Sequence, residues 1–257
     1  VQLDKAGYTD ANLLSPLTFF VIIATVLLQS STAGFIARWL RVVEPDPTGF
    51  LIIGANGVAR ALAKGLTHNG IKVLLADTVR GNVTKAKIEG LPCYFGSPIS
   101  EHADRYLPLT GIGRVLALSS HETINVAAAM HYRTELGPDK VFVIQAKLRE
   151  RVSTRIRLPL QRMSRTLFSS TITHSYLSWV LSHGGSIHST RLTDHFGFGD
   201  FLKRHGYRAV PLFAIDPKRN VHVFSAELEI APRSGWTVIY LRQPDRRKSK
   251  RKGSPAA

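Results

Sequence analysis

Cysteine is almost missing from this chain. Cys93 stands alone, so no internal disulfide framework exists, and a reducing compartment fits. Acidic residues are scarce too: 18 Asp and Glu face 34 Lys and Arg, leaving a formal charge of +16. A chain so basic is expected near anionic partners, either a lipid surface or nucleic acid. Long uncharged runs are equally sparse, and the one from Pro16 to Ala37 stands out against charged flanks. That excludes a many-helix membrane protein within these 257 residues. Catalytic constellations are missing as well. There is no nucleophile elbow, no paired-carboxylate site and no Tyr-x-x-x-Lys, and His121-Glu122 reads as a helix start. No histidine pair shows ligand spacing with an acidic partner; His183 and His188 lie five apart across Gly184-Gly185, so no metal site is expected.

What is present begins with the uncharged run. As a helix, residues 16–37 would span about 33 Å, the thickness of a bilayer core. Phe19 to Leu28 is apolar on every face, which suits lipid rather than an amphipathic surface. Asp4 and Asp10 precede the run and Arg38 and Arg41 follow, so the C-terminal side is expected to face the cytoplasm. Gln29-Ser30-Ser31-Thr32 is a polar patch suited to packing on further helices. The start at Val1, after no basic leader, leads us to expect a piece of a longer protein.

After Pro45-Asp46-Pro47 the pattern changes to alternating strand and helix signals. Short apolar runs at Phe50–Ile53, Ile71–Ala76, Cys93–Phe95, Val115–Leu118 and Val141–Ile144 are separated by helix-forming stretches. That alternation predicts a Rossmann-like, doubly wound parallel sheet. Its first turn carries the chemistry. Gly54, Asn56 and Ala59 take the three positions of the dinucleotide fingerprint G-x-G-x-x-G/A, at the start of a helix whose N–H groups attract pyrophosphate. Asn56 departs from glycine; its tolerance of the left-handed conformation makes it an acceptable substitute there, with Gly57 supplying close backbone approach. Asp77, 23 residues after Gly54, sits where a carboxylate holds ribose hydroxyls. Arg60 is placed to neutralise phosphate, and Ser97 and Ser119 follow strands at the ligand-binding edge of such a sheet. Each has a plainer alternative: a turn aspartate, an exposed helical arginine, two turn serines.

These residues resemble a known arrangement. Phe20 to Gln29 is similar to the last transmembrane helix of bacterial monovalent cation/proton antiporters of the sodium/hydrogen exchanger type. Ile53-Gly54-Ala55-Asn56-Gly57 onward resembles the TrkA-N domain of potassium-uptake regulators and the RCK domains of potassium channels. The resemblance covers residues 16–145. It implies NAD(H) or an adenine nucleotide as cofactor, with Gly54, Asn56, Gly57 and Asp77 as contacts, and a homodimer. The family's Gly-Asp after the third strand is Gly96-Ser97 here, which weakens the adenine-side contact. No ion-binding carboxylate of the antiporter type is present, so these residues would not transport alone.

The expected organisation is a membrane segment at 1–44, a nucleotide-binding domain at 48–146, a basic helical connector at 147–185, a small mainly β domain at 186–243 and a disordered basic tail at 244–257. The leading functional reading is the nucleotide-sensing cytoplasmic region of an antiporter in the inner membrane, not an enzyme. Membrane lipids and the antiporter's remaining helices would be its partners, with no nucleic acid. The alternatives are a membrane-attached NAD-dependent oxidoreductase and a basic surface-binding module with a degenerate nucleotide fold.

Overall fold

The computed structural model describes residues 11–39, 47–145 and 164–244, the side chains of 11–15, Ala37, Arg38 and Tyr207 excepted. The chain divides into two units, Val1–Asp46 and Pro47–Ala257.

The first unit is one helix, α1 (Ala11–Trp39). Its stretch Pro16–Ile36 is 21 residues long and apolar enough to cross a membrane. Phe19, Phe20, Val21 and Ile22 are each more than half exposed, and four consecutive positions go round all sides of the helix. Thr32 donates to the Leu28 carbonyl at 2.7 Å, and Thr25 to that of Val21. Hydroxyls in lipid cost free energy unless bonded, and these are bonded within their own helix.

The second unit holds both sheets. Strands β1 (Gly49–Ile53), β2 (Val73–Asp77), β3 (Cys93–Phe95), β4 (Ile112–Ala117), β5 (Val141–Val143) and β6 (Arg165–Thr166) form a parallel sheet in the order β3-β2-β1-β4-β5-β6. Between them run α2 (Gly57–His68), α3 (Arg80–Ile88), α4 (Glu101–Tyr106) and α5 (Glu122–Leu136). The strands are short and apolar because both faces are covered. Phe50 and Ile52 point to the face that takes α2, with Leu62 and Leu66. Leu51 and Ile53 point to the face that takes α4 and α5, with Ala103, Ala128, Ala129 and Tyr132. The crossover from β1 back past β2 and β3, then over to β4, creates a switch point between β1 and β4, where open α/β sheets bind ligands.

The stretch read as a helical connector is built differently. Residues 146–163, with much of the mid-chain basic cluster, lie outside the described residues, as do 245–257 of the basic tail. Arg165–Thr166 adds the sixth parallel strand, pairing Phe142 with Arg165 and Val143 with Thr166. Arg165 is tolerated at this edge because its guanidinium pairs with Asp139 at 2.6 Å. Next comes α6 (His174–Ser182), capped by Thr173 and burying Leu177 and Val180. Leu167, Phe168, Ile172, Leu177 and Val180 are the apolar side chains that make this stretch part of the core.

The antiparallel sheet has the order β7-β10-β8-β9, from β7 (Ser186–Arg191), β8 (Ala209–Ile215), β9 (Val221–Val223) and β10 (Thr237–Arg242). One helix, α7 (Phe198–His205), packs Phe201 against Leu192, Val238 and Tyr240 on its outer side. The inner side is not a separate core. Phe213, Leu212, Ile239 and Leu241 join the cluster that contains α2 and Phe50. Phe213 meets Phe50 edge-on at 5.8 Å and Phe168 at 5.6 Å. On α2, Gly65 lets the helix approach β7 so closely that a Cβ would lie 2.8 Å from Ile187 Cγ2.

Candidate nucleotide-binding site

The turn after β1 is held by hydrogen bonds to the ends of two other strands, β2 and β4. Gly54 has φ +102°, a conformation that side chains rarely adopt, and a Cβ there would lie 3.1 Å from Ser119 Cα. Its N–H donates to the Ala76 carbonyl at 2.7 Å. The next amide, Ala55 N–H, donates to Asp77 Oδ2 at 2.7 Å. The ends of β1, β2 and β4 therefore converge on four residues, Gly54 to Gly57.

Asn56 behaves otherwise than its spacing implied. Its φ is −65° with ψ 174°, so it is extended rather than left-handed. It is the N-cap of α2. Its Oδ1 accepts from Val58 N–H and Ala59 N–H, each at 3.1 Å, and its Nδ2 donates to the Leu118 carbonyl at 2.7 Å. One side chain thus satisfies two of the orphan amides of the helix and bridges the switch-point crevice from β1 to β4. Gly57, first residue of α2, is exposed, and a Cβ on it would meet nothing within 4 Å. The backbone here lies open to a ligand. Ala59 is fully buried, the small residue that lets α2 pack on the sheet.

Asp77 ends β2 half-buried. Its Oδ2 accepts from Ala55 N–H and from Asn82 Nδ2 at 2.9 Å, and Oδ1 from Val79 N–H at 2.8 Å. A carboxylate has about four acceptor positions, so Oδ1 keeps capacity for a hydroxyl. Arg60 is turned away from that role. Its Nε pairs with Glu89 Oε1 at 2.9 Å and its Nη1 donates to the Ala55 carbonyl at 2.7 Å. Partial burial pushes the Glu89 carboxyl up, but bonds from Lys64 and Arg60 outweigh it and hold the group below its ordinary value. Arg60 therefore braces the turn.

Ser119 closes the opposite wall. Its N–H donates to Asn125 Oδ1 and its carbonyl accepts from Asn125 Nδ2, both at 2.9 Å, while its Oγ accepts from His121 N–H. Ser97 lies beyond β3, its carbonyl accepting from Ser100 Oγ at 2.8 Å where Ser100 caps α4. Gly96 N–H reaches back to the Asp77 carbonyl, so this loop shares the same sheet edge. Sequence reasoning missed Asn125 and Asn82. Both are amides inside helices, where such residues are uncommon without a specific bond.

The same stretch has a counterpart among known proteins. Residues 50–158 match the family model of the TrkA-N domain. That match takes in β1 to β5 and the four helices between them. The NAD(P)-binding domain of an exopolyphosphatase-related protein from Archaeoglobus fulgidus is similar to this chain at 21% identity. The likeness covers 46% of this chain and 85% of that one, with a TM-score of 0.38. The TrkA-N domain of the inner membrane protein ybaL from Escherichia coli is 15% identical over 40% of this chain and 75% of its own, at 0.34. The GsuK channel bound to NAD is 12% identical over 82% of this chain and 39% of the channel, at 0.40. Among the curated proteins, none matches.

The residues fit a dinucleotide with one reservation of chemistry. Gly54 and Gly57 leave room, and Asp77 offers an oxygen, but the amides of Val58 and Ala59 already bond to Asn56. Asn56 is the side chain that a pyrophosphate must displace.

Proposed function

We propose that this chain is the nucleotide-sensing regulatory region of a monovalent cation/proton antiporter, joined to a membrane helix. The observation that carries the reading is the TrkA-N-type turn itself: Gly54 at positive φ against Ser119, open backbone at Gly57 and the Asp77 carboxylate at the neighbouring strand end. NAD(H) is the preferred ligand, with an adenine nucleotide as the alternative; the match to the TrkA-N domain supports that preference. When bound, such a ligand brings two negative phosphates to the start of α2. Gly57 admits them, the first-turn amides bond them, and Asp77 orients the ribose. The long apolar run of α1 and the arginines that follow the run, Arg38 and Arg41, support a site on the cytoplasmic face of the inner membrane.

Regulation follows from where α2 leads. Its start forms the turn, and its later residues pack through Gly65 onto Ile187 of β7. A ligand that moves the first turn would shift the antiparallel sheet, and two such arrangements of unequal affinity would bias transport. Homodimer formation, lipid contact and the absence of catalysis belong to the same proposal.

Calorimetric titration of the full chain in detergent micelles with NAD, NADH, ATP and AMP tests it. One nucleotide should bind, and Gly57→Asp should abolish binding, because its side chain enters open space and sets a carboxylate against phosphate. Failure of all four ligands would reduce the region to a structural scaffold. The antiporter part is tested by the gene upstream of Val1: fewer than several further hydrophobic spans would end it.

A further inference from the structure

On the face of the parallel sheet that carries α4 and α5, a second chemical cluster stands apart from the glycine turn. His131 and Glu135 are one turn apart on α5, and Asp104 projects from α4. His131 Nε2 lies 3.1 Å from Asp104 Oδ1 and 3.5 Å from Glu135 Oε1. The three ligand atoms all lie within 4.8 Å of one another. A tetrahedral zinc ion with bonds of about 2.0–2.1 Å needs its ligand atoms roughly 3.3–3.4 Å apart, so the two distances from the imidazole need almost no adjustment.

The support is firm behind these side chains. Tyr132, next to His131, is buried, and its hydroxyl donates to the Pro98 carbonyl at 2.6 Å, fixing α5 to the loop that leads into α4. The His131 ring stands edge-on to the Tyr132 ring at 4.8 Å. Both carboxylates face the same imidazole nitrogen. Two carboxylates and a neutral imidazole balance one divalent cation, and the partly exposed site leaves a position for water.

We propose that Asp104, His131 and Glu135 form a zinc-class divalent-cation site that clamps α4 to α5. The imidazole selects a transition ion over magnesium, which prefers oxygen ligands and keeps its waters. The site is independent of the nucleotide reading. Zinc titrated into the full chain in detergent micelles should bind at one ion per chain. His131→Ala should weaken binding at least tenfold, and so should Glu135→Gln, which keeps the helix face nearly unchanged in shape. His183→Ala should bind as the unaltered chain does, and millimolar magnesium should not compete. Zinc binding that is undetectable, indifferent to both His131→Ala and Glu135→Gln, or lost in His183→Ala would overturn the assignment.

Discussion

Replacing Asn56 by glycine should move stability and nucleotide affinity in opposite directions. In the unaltered chain the side chain caps α2 with two bonds of 3.1 Å and bridges to the Leu118 carbonyl at 2.7 Å. Asn→Gly at an N-cap costs only a few tenths of a kcal/mol. Loss of the bridging bond adds about 1 kcal/mol. The sum, about 1–1.5 kcal/mol, should lower Tm by roughly 2–6 °C for a unit of this size. A pyrophosphate that displaces the Asn56 side chain to take the amides of Val58 and Ala59 must break all three of these bonds. Removing them in advance relieves the ligand of a similar cost, and about 1.4 kcal/mol is tenfold in Kd. NADH should therefore bind Asn56→Gly about tenfold more tightly, measured by calorimetry beside a thermal melt of the same sample. Asn56→Asp keeps the cap acceptor but sets a charge against phosphate, and should weaken binding. Equal or weaker NADH affinity in a folded Asn56→Gly protein would refute the view that Asn56 occupies the phosphate position.

Other outcomes follow from the packing. Phe213→Ala removes a fully buried ring that joins the two sheets through Phe50 and Phe168, and should cost about 3–5 kcal/mol. Urea unfolding followed by fluorescence should stay one transition, since the sheets share a core; two separated transitions in the unaltered chain would refute that. Burial raises the Cys93 thiol to about 11 from 9.0, with the Asp77 carboxylate adding to the rise and Lys87 opposing it. At pH 8 the native thiolate fraction is then about one in a thousand against about one in ten unfolded, so iodoacetamide should label the native protein roughly a hundredfold more slowly. The raised value favours the folded state below pH 9, and that contribution should fade as pH rises from 9 towards 11.

Much of this molecule is written locally. Parallel strands buried on both faces read as short apolar runs, so β1 to β5 were legible, and α5 has the bounds its pattern implies, Glu122 to Leu136. Gly54 is legible as a residue that must bend the chain, and the uncharged run of α1 needs no tertiary contact to be seen. The roles of side chains that reach across the fold were not legible. Asn56 looked like a glycine substitute because its partner, the Leu118 carbonyl, lies 62 residues away. Arg60 looked free because Glu89 follows it by 29 positions. The spacing of His131 and Glu135 was open to view, one helical turn apart, yet it acquires meaning only when Asp104 arrives from α4. Likewise β6 and α6 looked like a connector, because two residues make too short a strand to carry a pattern. By itself, the sequence determined the type of the longer patterned segments, because hydrophobic period and turn chemistry act over a few residues. Tertiary structure alone decided which hydrogen bond each polar side chain makes, because its partner is brought to it by the crossover of the sheet.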